Sequence, residues 1–273
     1  MHERTYDPGV DLQADRPHPA RVYNFLLGGD VYFEADKRAA EDGMRSNPSS
    51  RVPPRENRAF LRRAVRYLAA EQGIDQFLDI GTGIPSAPNV HHIAQEAHPA
   101  ARVIYVDHDP IVLAHAQSLL AGTPAGFTHF VQANLRDPEG ILRHARENLD
   151  LRKPVGLLLI AVLHFVGDDQ DPYGVVRTLT DALPDGSFLA LSHLTGDFVP
   201  EAWAAVTEIY RRQGVTMRVR SKAEVERFFD GLDLVEPGVE VLTRWHPETG
   251  GPGSEPDAAV SVYGGVARIS RTA

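Results

Sequence analysis

The sequence contains no cysteine among its 273 residues. This absence excludes disulfide bonds, cysteine-ligated zinc, iron–sulfur clusters and a thiol nucleophile. Basic residues are also scarce relative to acidic ones: 28 lysines and arginines stand against 37 aspartates and glutamates, so the formal net charge is −9. Binding along a nucleic-acid backbone requires clustered cations. The charge balance therefore argues against a nucleic-acid partner.

Long hydrophobic runs are missing as well. The most apolar run, residues 155–166, is interrupted by Gly156 and His164 and falls short of the roughly 20 residues that a membrane-spanning helix needs. The first residues carry no apolar segment of the kind found in secretory signals. We therefore expect a cytoplasmic protein without a membrane partner. The 42% of hydrophobic and 24% of charged residues are typical of a folded protein.

Short apolar runs alternate with segments of helical periodicity through the middle of the chain. The predicted strands are residues 76–80, 102–106, 127–132, 155–163 and 187–192, and further β-prone segments are residues 232–235, 239–243 and 259–269. Strands that alternate with helices form right-handed βαβ units around a parallel sheet. The sequence therefore predicts an α/β protein with a Rossmann-like open sheet.

Helical segments also precede the first strand, at residues 20–27, 32–42 and 56–71. In the third segment the apolar residues recur at helical spacing: Phe60, Leu61, Ala64, Val65 and Leu68. We predict that residues 1–70 form an N-terminal extension and helical cap. Residues 71–273 form the Rossmann-like domain.

The end of the first strand carries a candidate binding site, Asp79-Ile80-Gly81-Thr82-Gly83. Two glycines let the backbone turn sharply and let a ligand approach it closely. A dinucleotide site has no carboxylate beside its pyrophosphate and usually has a third glycine, where this chain has Pro85. A carboxylate at Asp79 suits a cationic ligand end, such as an α-amino group next to a sulfonium. The alternative is that Asp79 only caps a turn.

The next two strand ends carry further candidates. In an open α/β sheet, ligands bind beyond the carboxyl ends of the strands. Asp107 follows the second strand and could accept hydrogen bonds from both hydroxyls of an adenosine ribose, and Asn134 follows the third strand and could bind an adenine edge. Asp109 directly precedes Pro110, so we predict that it caps the helix that begins there.

Together these strand ends resemble the class I S-adenosylmethionine-dependent methyltransferases over residues 74–192. More narrowly, RPHPARVYNFLLGGDVYFEAD and FLDIGTGIPSAPNVHHIAQ resemble an actinomycete family labelled S-adenosyl methyltransferase, over nearly the whole chain. The resemblance implies a mostly parallel sheet with an antiparallel last strand. It also implies S-adenosylmethionine as cofactor, with S-adenosylhomocysteine as product. The substrate of that family is unassigned, so the resemblance indicates no acceptor.

The resemblance also implies roles for single residues. Asp79, Gly81 and Gly83 would hold the methionine part, Asp107 the ribose, Asn134 and the Leu135 backbone the adenine, and Ala161 and Val162 would border the methyl group. The neighbouring Thr82 and His108 complete the predicted cofactor-binding set. The chain departs from the family pattern at two positions: Asn134 stands where this superfamily often has Asp, and Pro85 replaces the third glycine.

Histidines offer the remaining candidates for chemistry. His164 follows the fourth strand and resembles the general base of some plant-type O-methyltransferases, since a histidine titrating near neutrality could deprotonate a hydroxyl acceptor. The preferred alternative is a histidine that packs locally. His193, beyond the fifth strand, could face the acceptor. His91 and His92 lack paired carboxylates on one helix face, so we read them as surface residues and expect no metal.

The N-terminal segment is dense in aromatic, polar and glycine residues. We expect it to fold over the crevice as a lid that lines the acceptor pocket, with these candidate residues: Tyr23, Asn24, Gly28, Gly29 and Tyr32. The alternative is a helical hairpin packed against the sheet.

The predicted function is methyl transfer to an oxygen, nitrogen or carbon nucleophile, on a small molecule rather than nucleic acid. A protein acceptor and the oligomeric state stay open. Two alternatives remain: a non-enzymatic S-adenosylmethionine-binding sensor or scaffold, and, less favoured, an NAD-dependent oxidoreductase.

Overall fold

A computed structural model describes residues 12–116, 123–247 and 255–271. Within these residues the helices are α1 (Pro19–Leu26), α2 (Glu34–Ser46), α3 (Val52–Arg66), α4 (Val90–Ala97), α5 (Pro110–Ala116), α6 (Pro138–Asn148), α7 (Pro172–Asp181), α8 (Pro200–Arg212), α9 (Lys222–Glu226) and α10 (Asp257–Val260). The strands are β1 (Gln76–Ile80), β2 (Arg102–Asp107), β3 (Phe127–Gln132), β4 (Gly156–Ile160), β5 (Phe188–Leu194), β6 (Asp233–Leu234), β7 (Glu240–Val241) and β8 (Val262–Arg268).

All of these strands belong to one sheet with the order β3-β2-β1-β4-β5-β8-β6, and β7 also pairs with β8. Pairing is parallel from β3 to β5. β8 lies antiparallel to β5, and β6 and β7 pair antiparallel with β8. The strand order reverses at β1, which lies between β2 and β4. Ligand sites of open α/β sheets lie at such a switch point, so the topology directs attention to the end of β1.

Burial explains why the central segments form strands. Leu157, Leu158 and Leu159 of β4 are fully buried, as expected of a strand covered by helices on both faces. The helical prediction for residues 56–71 is confirmed, because the apolar positions from Phe60 to Leu68 lie in the core. Helix α3 ends in a π-helical turn, Tyr67–Glu71.

The predicted bounds of β1 and β3 are confirmed, and those of β2, β5 and β6 lie within two residues of the structure. The segment 239–243 forms a strand only at Glu240–Val241 and continues as the 3₁₀ turn Leu242–Arg244. Two further segments need correction. The fourth strand was predicted to reach residue 163. It ends at Ile160, because Ala161 has a φ of +53° and cannot continue a strand. The segment 259–269 was predicted as β. Its first residues belong to α10, and Ser261, with a φ of +45°, separates that helix from β8.

Helices α1 and α2 pack together ahead of α3. Arg21 and Asp36 form a fully buried ion pair between them, with Nε 2.7 Å from Oδ2. Val31, in the connection, packs with Ile84 and Val112, which follow β1 and β2. The N-terminal helices therefore contact the carboxyl edge of the sheet. Among the described helices none combines the length and the apolarity required to cross a bilayer.

Candidate active site

The loop after β1 is built from two glycines in the left-handed region. Gly81 has a φ of +75° and Gly83 a φ of +63°, which L-residues with side chains rarely adopt. The Gly81 N–H donates to the Val106 carbonyl at 2.8 Å. A Cβ atom at Gly81 would lie 2.3 Å from a Val162 methyl. Only glycine therefore allows this loop to pack against the segment after β4.

The carboxylate of Asp107, at the end of β2, is hydrogen-bonded to this loop. Its Oδ2 accepts from the Gly83 N–H at 2.9 Å, and its Oδ1 accepts from the Asp109 N–H at 3.1 Å. These bonds fix the carboxylate at the end of β2, beside the glycine loop. The predicted cap at Asp109 is confirmed, because its Oδ1 accepts from the Ile111 N–H at 2.8 Å.

Asp79 presents a carboxylate that the protein leaves largely uncompensated. Burial raises the pKa of Asp79 to about 7. The nearby Arg58 guanidinium opposes that rise, and the Asp107 carboxylate adds to it. A buried carboxylate is costly to ionise without a partner. A cationic group placed beside Asp79 would therefore be strongly favoured.

A cleft beside Gly81 and Asp107 reaches the ends of β3 and β4, and Asp79 and Gly83 are not among the residues that line it. It is lined by Ile80, Gly81, Asp107, His108, Ala133, Asn134, Leu135, Arg136, Val162, Phe165 and Val166. The hydrogen bond to Asp107 raises the pKa of His108. Asn134 is exposed, and its Oδ1 accepts from the Arg136 N–H at 2.9 Å. The predicted ribose and adenine residues thus share one cleft. Phe165 and Val166 were missed, since only their position after β4 could have indicated them.

A chain of hydrogen bonds holds the segment that follows β4. The Ala161 N–H donates to Ser192 Oγ at 3.0 Å, and the Ser192 hydroxyl donates to Asn57 Oδ1 at 2.5 Å. Asn57 Nδ2 donates to the Tyr23 hydroxyl at 2.9 Å. Tyr23 was a predicted lid residue, and the chain connects it to the predicted methyl-bordering Ala161. Sequence reasoning missed Asn57 and Ser192, because their contacts span separate elements.

His164 and His193 lie outside the residues that line this cleft. His193 is fully buried, and its Nε2 is 2.8 Å from Nη1 of Arg220. A guanidinium can only donate, so Nε2 accepts and the ring is neutral. Burial lowers the pKa of His193 to about 3, and it holds the pKa of His164 well below its usual range. A low pKa makes His164 a weak base at neutral pH, which favours the packing interpretation.

The remaining predicted lid residues form the turn between α1 and α2. Gly28 has a φ of +81°, and Asn24 Oδ1 accepts from the Val31 N–H at 3.0 Å. A Cβ atom at Gly29 would lie 2.3 Å from that same oxygen. Tyr32 is exposed, with its ring edge against Phe25. The turn is thus tightly built, and a role in covering the site stays a prediction.

The interpretation of His91 as a surface residue was wrong. Its ring is fully buried, and Nδ1 lies 2.8 Å from the Tyr105 hydroxyl. One face of α4 lies on the sheet, which the spacing of histidines alone does not reveal. His92 is partly buried. No group of three or more metal-ligating side chains occurs within the described ranges.

The strand order, the glycine loop and the two acidic strand ends define a class I methyltransferase fold. The sequence profile of the S-adenosyl methyltransferase family matches residues 6–270. The chain therefore belongs to the S-adenosyl methyltransferase family, and S-adenosylmethionine is its cofactor. None of the curated proteins compared with this chain matches it.

Solved structures of two bacterial proteins are similar over almost their whole length. A DUF574 family protein from Streptomyces avermitilis is 46% identical, with a TM-score of 0.91, and the match covers 94% of this chain and 99% of that one. A candidate methyltransferase from Thermobifida fusca is 38% identical, with a TM-score of 0.86, and the match covers 97% of this chain and 99% of that one.

The site residues fit this cofactor. Asp79 offers an uncompensated buried carboxylate for an ammonium or sulfonium group. Asp107 presents an anchored carboxylate at the edge of the cleft. A pyrophosphate in place of the cationic group would meet like charge at Asp79, which disfavours a dinucleotide.

Proposed function

We propose that the protein transfers a methyl group to an oxygen, nitrogen or carbon nucleophile of a small molecule in the cytoplasm. When bound, S-adenosylmethionine supplies a methyl group activated by its sulfonium for in-line attack. The observation that carries the proposal is Asp79: a buried carboxylate at the switch point with its pKa raised to about 7 suits a cationic ligand.

The protein contributes orientation more than acid–base chemistry in this proposal. Asp79 and the glycine loop hold the amino-acid end, Asp107 the ribose, and Asn134 and Leu135 the adenine. Ala161 and Val162 border the methyl group. Because positioning an already activated group supplies much of the rate, the reaction does not depend on His164 as a base.

The acceptor class rests on charge and on the N-terminal helices. A net charge of −9 disfavours nucleic acid. Hydrogen bonds connect Tyr23 through Asn57 and Ser192 to the end of β4, which supports a role for the N-terminal helices in restricting access to a compact acceptor. A protein acceptor is the alternative.

The test is calorimetric binding of S-adenosylmethionine, S-adenosylhomocysteine and NAD to wild type and to Asp107→Ala. We expect the two sulfur ligands to bind and NAD not to bind. Loss of the charge-assisted bonds of Asp107 should weaken both sulfur ligands by roughly tenfold to a hundredfold. The control is Glu139→Ala, an exposed carboxylate on α6, which should bind as wild type does.

Three other outcomes would each contradict a different part of the proposal. NAD binding alone would overturn the interpretation of the β1 loop. Tight binding of the sulfur ligands without methylation of any acceptor in a broad small-molecule screen would favour a sensor or scaffold. Methylation of proteins alone would overturn the acceptor class.

A further inference from the structure

Arg58 is a partly buried cation on α3 that the proposed site does not yet use. Its Nη2 donates to the carbonyls of Ser86 and Pro88, each at 2.5 Å. These carbonyls belong to the segment that follows Gly83. The bonds therefore fix the guanidinium beside the glycine loop, although α3 precedes β1 in the chain.

The charge of Arg58 reaches three separate elements of the site. It lowers the pKa of Asp79 on β1, of Tyr105 on β2 and of Tyr23 on α1, against the larger effect of burial in each case. The guanidinium thus lies near enough to α1, β1 and β2 for its charge to act on groups in all three.

Arg58 and Asp79 do not neutralise each other directly. Among the described residues neither forms an ion pair within 4.0 Å, and the partners of Arg58 are backbone carbonyls. The site therefore holds one uncompensated carboxylate and one cation without a carboxylate partner. A ligand that carries an ammonium and a carboxylate on one carbon complements both.

We propose that Arg58 binds the carboxylate of the α-amino acid end of the cofactor, while Asp79 binds its ammonium group. The proposal rests on the proposed function, because it requires an S-adenosyl amino acid in the site. It makes α3 part of the cofactor site rather than only part of a cover over it, and it restricts the site to ligands with an intact α-amino acid.

The test compares two ligands that differ only in this carboxylate: S-adenosylhomocysteine and its decarboxylated analogue, which keeps the amine. Both are titrated by calorimetry into full-length wild type, Arg58→Gln and Arg58→Lys. Arg55→Gln is the matched control, an exposed arginine on the same helix that pairs with Glu255 and Glu56. Circular dichroism and thermal unfolding establish that each variant is folded.

Loss of a charge-assisted contact should cost Arg58→Gln roughly tenfold to a hundredfold in affinity for S-adenosylhomocysteine. Its affinity for the decarboxylated analogue should stay within about threefold of wild type. Arg58→Lys keeps the charge but loses the planar guanidinium, so its affinity for S-adenosylhomocysteine should lie between those of wild type and Arg58→Gln. Arg55→Gln should match wild type for both ligands.

Two outcomes would overturn the proposal. Equal losses for both ligands would mean that Arg58 only holds the Ser86–Pro88 carbonyls. Equal affinity of wild type for both ligands would mean that no group binds the carboxylate. If wild type binds neither ligand, the proposed function itself fails, and that result is distinct from a failure at Arg58. Should Arg58→Gln not fold, Arg58→Lys still separates the two ligands.

Discussion

Two regions of the molecule bury ionisable groups: the ends of β1 and β2, with Asp79 and Asp107, and the cluster beside β4 and β5, with Arg220 and His193. We call them the β1–β2 edge and the β4–β5 edge. The charges of the two regions are compensated differently. At the β1–β2 edge Asp79 is buried and forms no ion pair with the other described residues, and its pKa rises to about 7. At the β4–β5 edge Arg220 is fully buried, and it contacts His193, two carbonyls and a carboxylate. The first edge leaves a charge for a ligand, whereas the second uses its polar groups to hold the chain together.

The β4–β5 edge explains how the wall of the cleft is held. Arg220 donates to the carbonyls of Leu163 and Val166 at 3.2 and 3.0 Å. Val166 and its neighbour Phe165 both line the cleft. Asp168 receives a further bond from Arg220 at 2.8 Å. The polar cluster around Arg220 therefore holds in place the residues after β4 that line the cleft.

We expect the largest loss of stability when Arg220 is replaced. Replacing it with Met keeps much of its volume but leaves carbonyls and His193 buried without their donor, so we expect a loss of about 3–5 kcal/mol in the free energy of unfolding. Urea denaturation measures this loss. The control is Arg218→Met, which removes a half-exposed arginine paired with Asp168 and Glu224 and should cost less than about 1 kcal/mol.

A loss at Arg220 no larger than at Arg218 would remove the contrast between the edges. The β4–β5 cluster would then contribute little to stability, and its polar groups would need another explanation.

Sequence reasoning located the β1–β2 edge and largely missed the β4–β5 edge, for a physical reason. Asp79 and Asp107 follow apolar runs, and the carboxyl ends of parallel strands always meet at one edge. Arg220 lies in an irregular segment, and its contacts with His193 and Asp168 depend on tertiary packing. Asn57 and Arg58 were missed for the same reason: helical periodicity identified the buried face of α3 but not what its polar residues touch.

The backbone conformation of single residues could also not be predicted from the sequence. Nothing local indicates that Ala161 and Ser261 adopt positive φ, because L-residues there require surrounding contacts to hold them. The apolar runs at 155–163 and 259–269 therefore predicted strands that were too long.

Replacing Asp79 should instead raise the free energy of unfolding, by a smaller amount. Its folded pKa of about 7 exceeds the unfolded value, so ionisation of the buried carboxyl opposes folding. The penalty is absent below about pH 4, grows through pH 7 and is complete above it, at about 1.4 kcal/mol per pKa unit. Asp79→Asn should therefore be more stable than wild type at pH 8, by at most about 4 kcal/mol for a rise of about three pKa units, and nearly equal to it at pH 4.

Urea denaturation at both pH values tests this prediction, with Asp150→Asn as control. The pKa of Asp150 is lowered to about 2, chiefly by its hydrogen bond with Arg152, so its replacement should bring no gain at pH 8. Asp79→Asn should also bind S-adenosylhomocysteine more weakly. A variant less stable than wild type at pH 8 would mean that Asp79 is already compensated, and the two edges would no longer differ.

The smallest effect is expected where the N-terminal segment meets the β1–β2 edge. His18 Nε2 contacts Asp109 Oδ2. Burial alone would raise the pKa of Asp109, but the hydrogen bond and charge of His18, the Ile111 N–H and the charge of His108 together outweigh it and lower that pKa. The pair is partly exposed, so His18→Gln should cost less than about 1 kcal/mol near pH 6.

The sign of its pH dependence is opposite to that at Asp79. A carboxyl with a lowered folded pKa stabilises the fold above its unfolded pKa, and this contribution is lost as the pH falls through the folded pKa. The difference between wild type and His18→Gln should therefore shrink from pH 6 to pH 3 in urea denaturation. His144→Gln, which removes an exposed histidine near Glu147, should be neutral throughout. A loss of several kcal/mol would make the contact between His18 and Asp109 as important for stability as the Arg220 cluster.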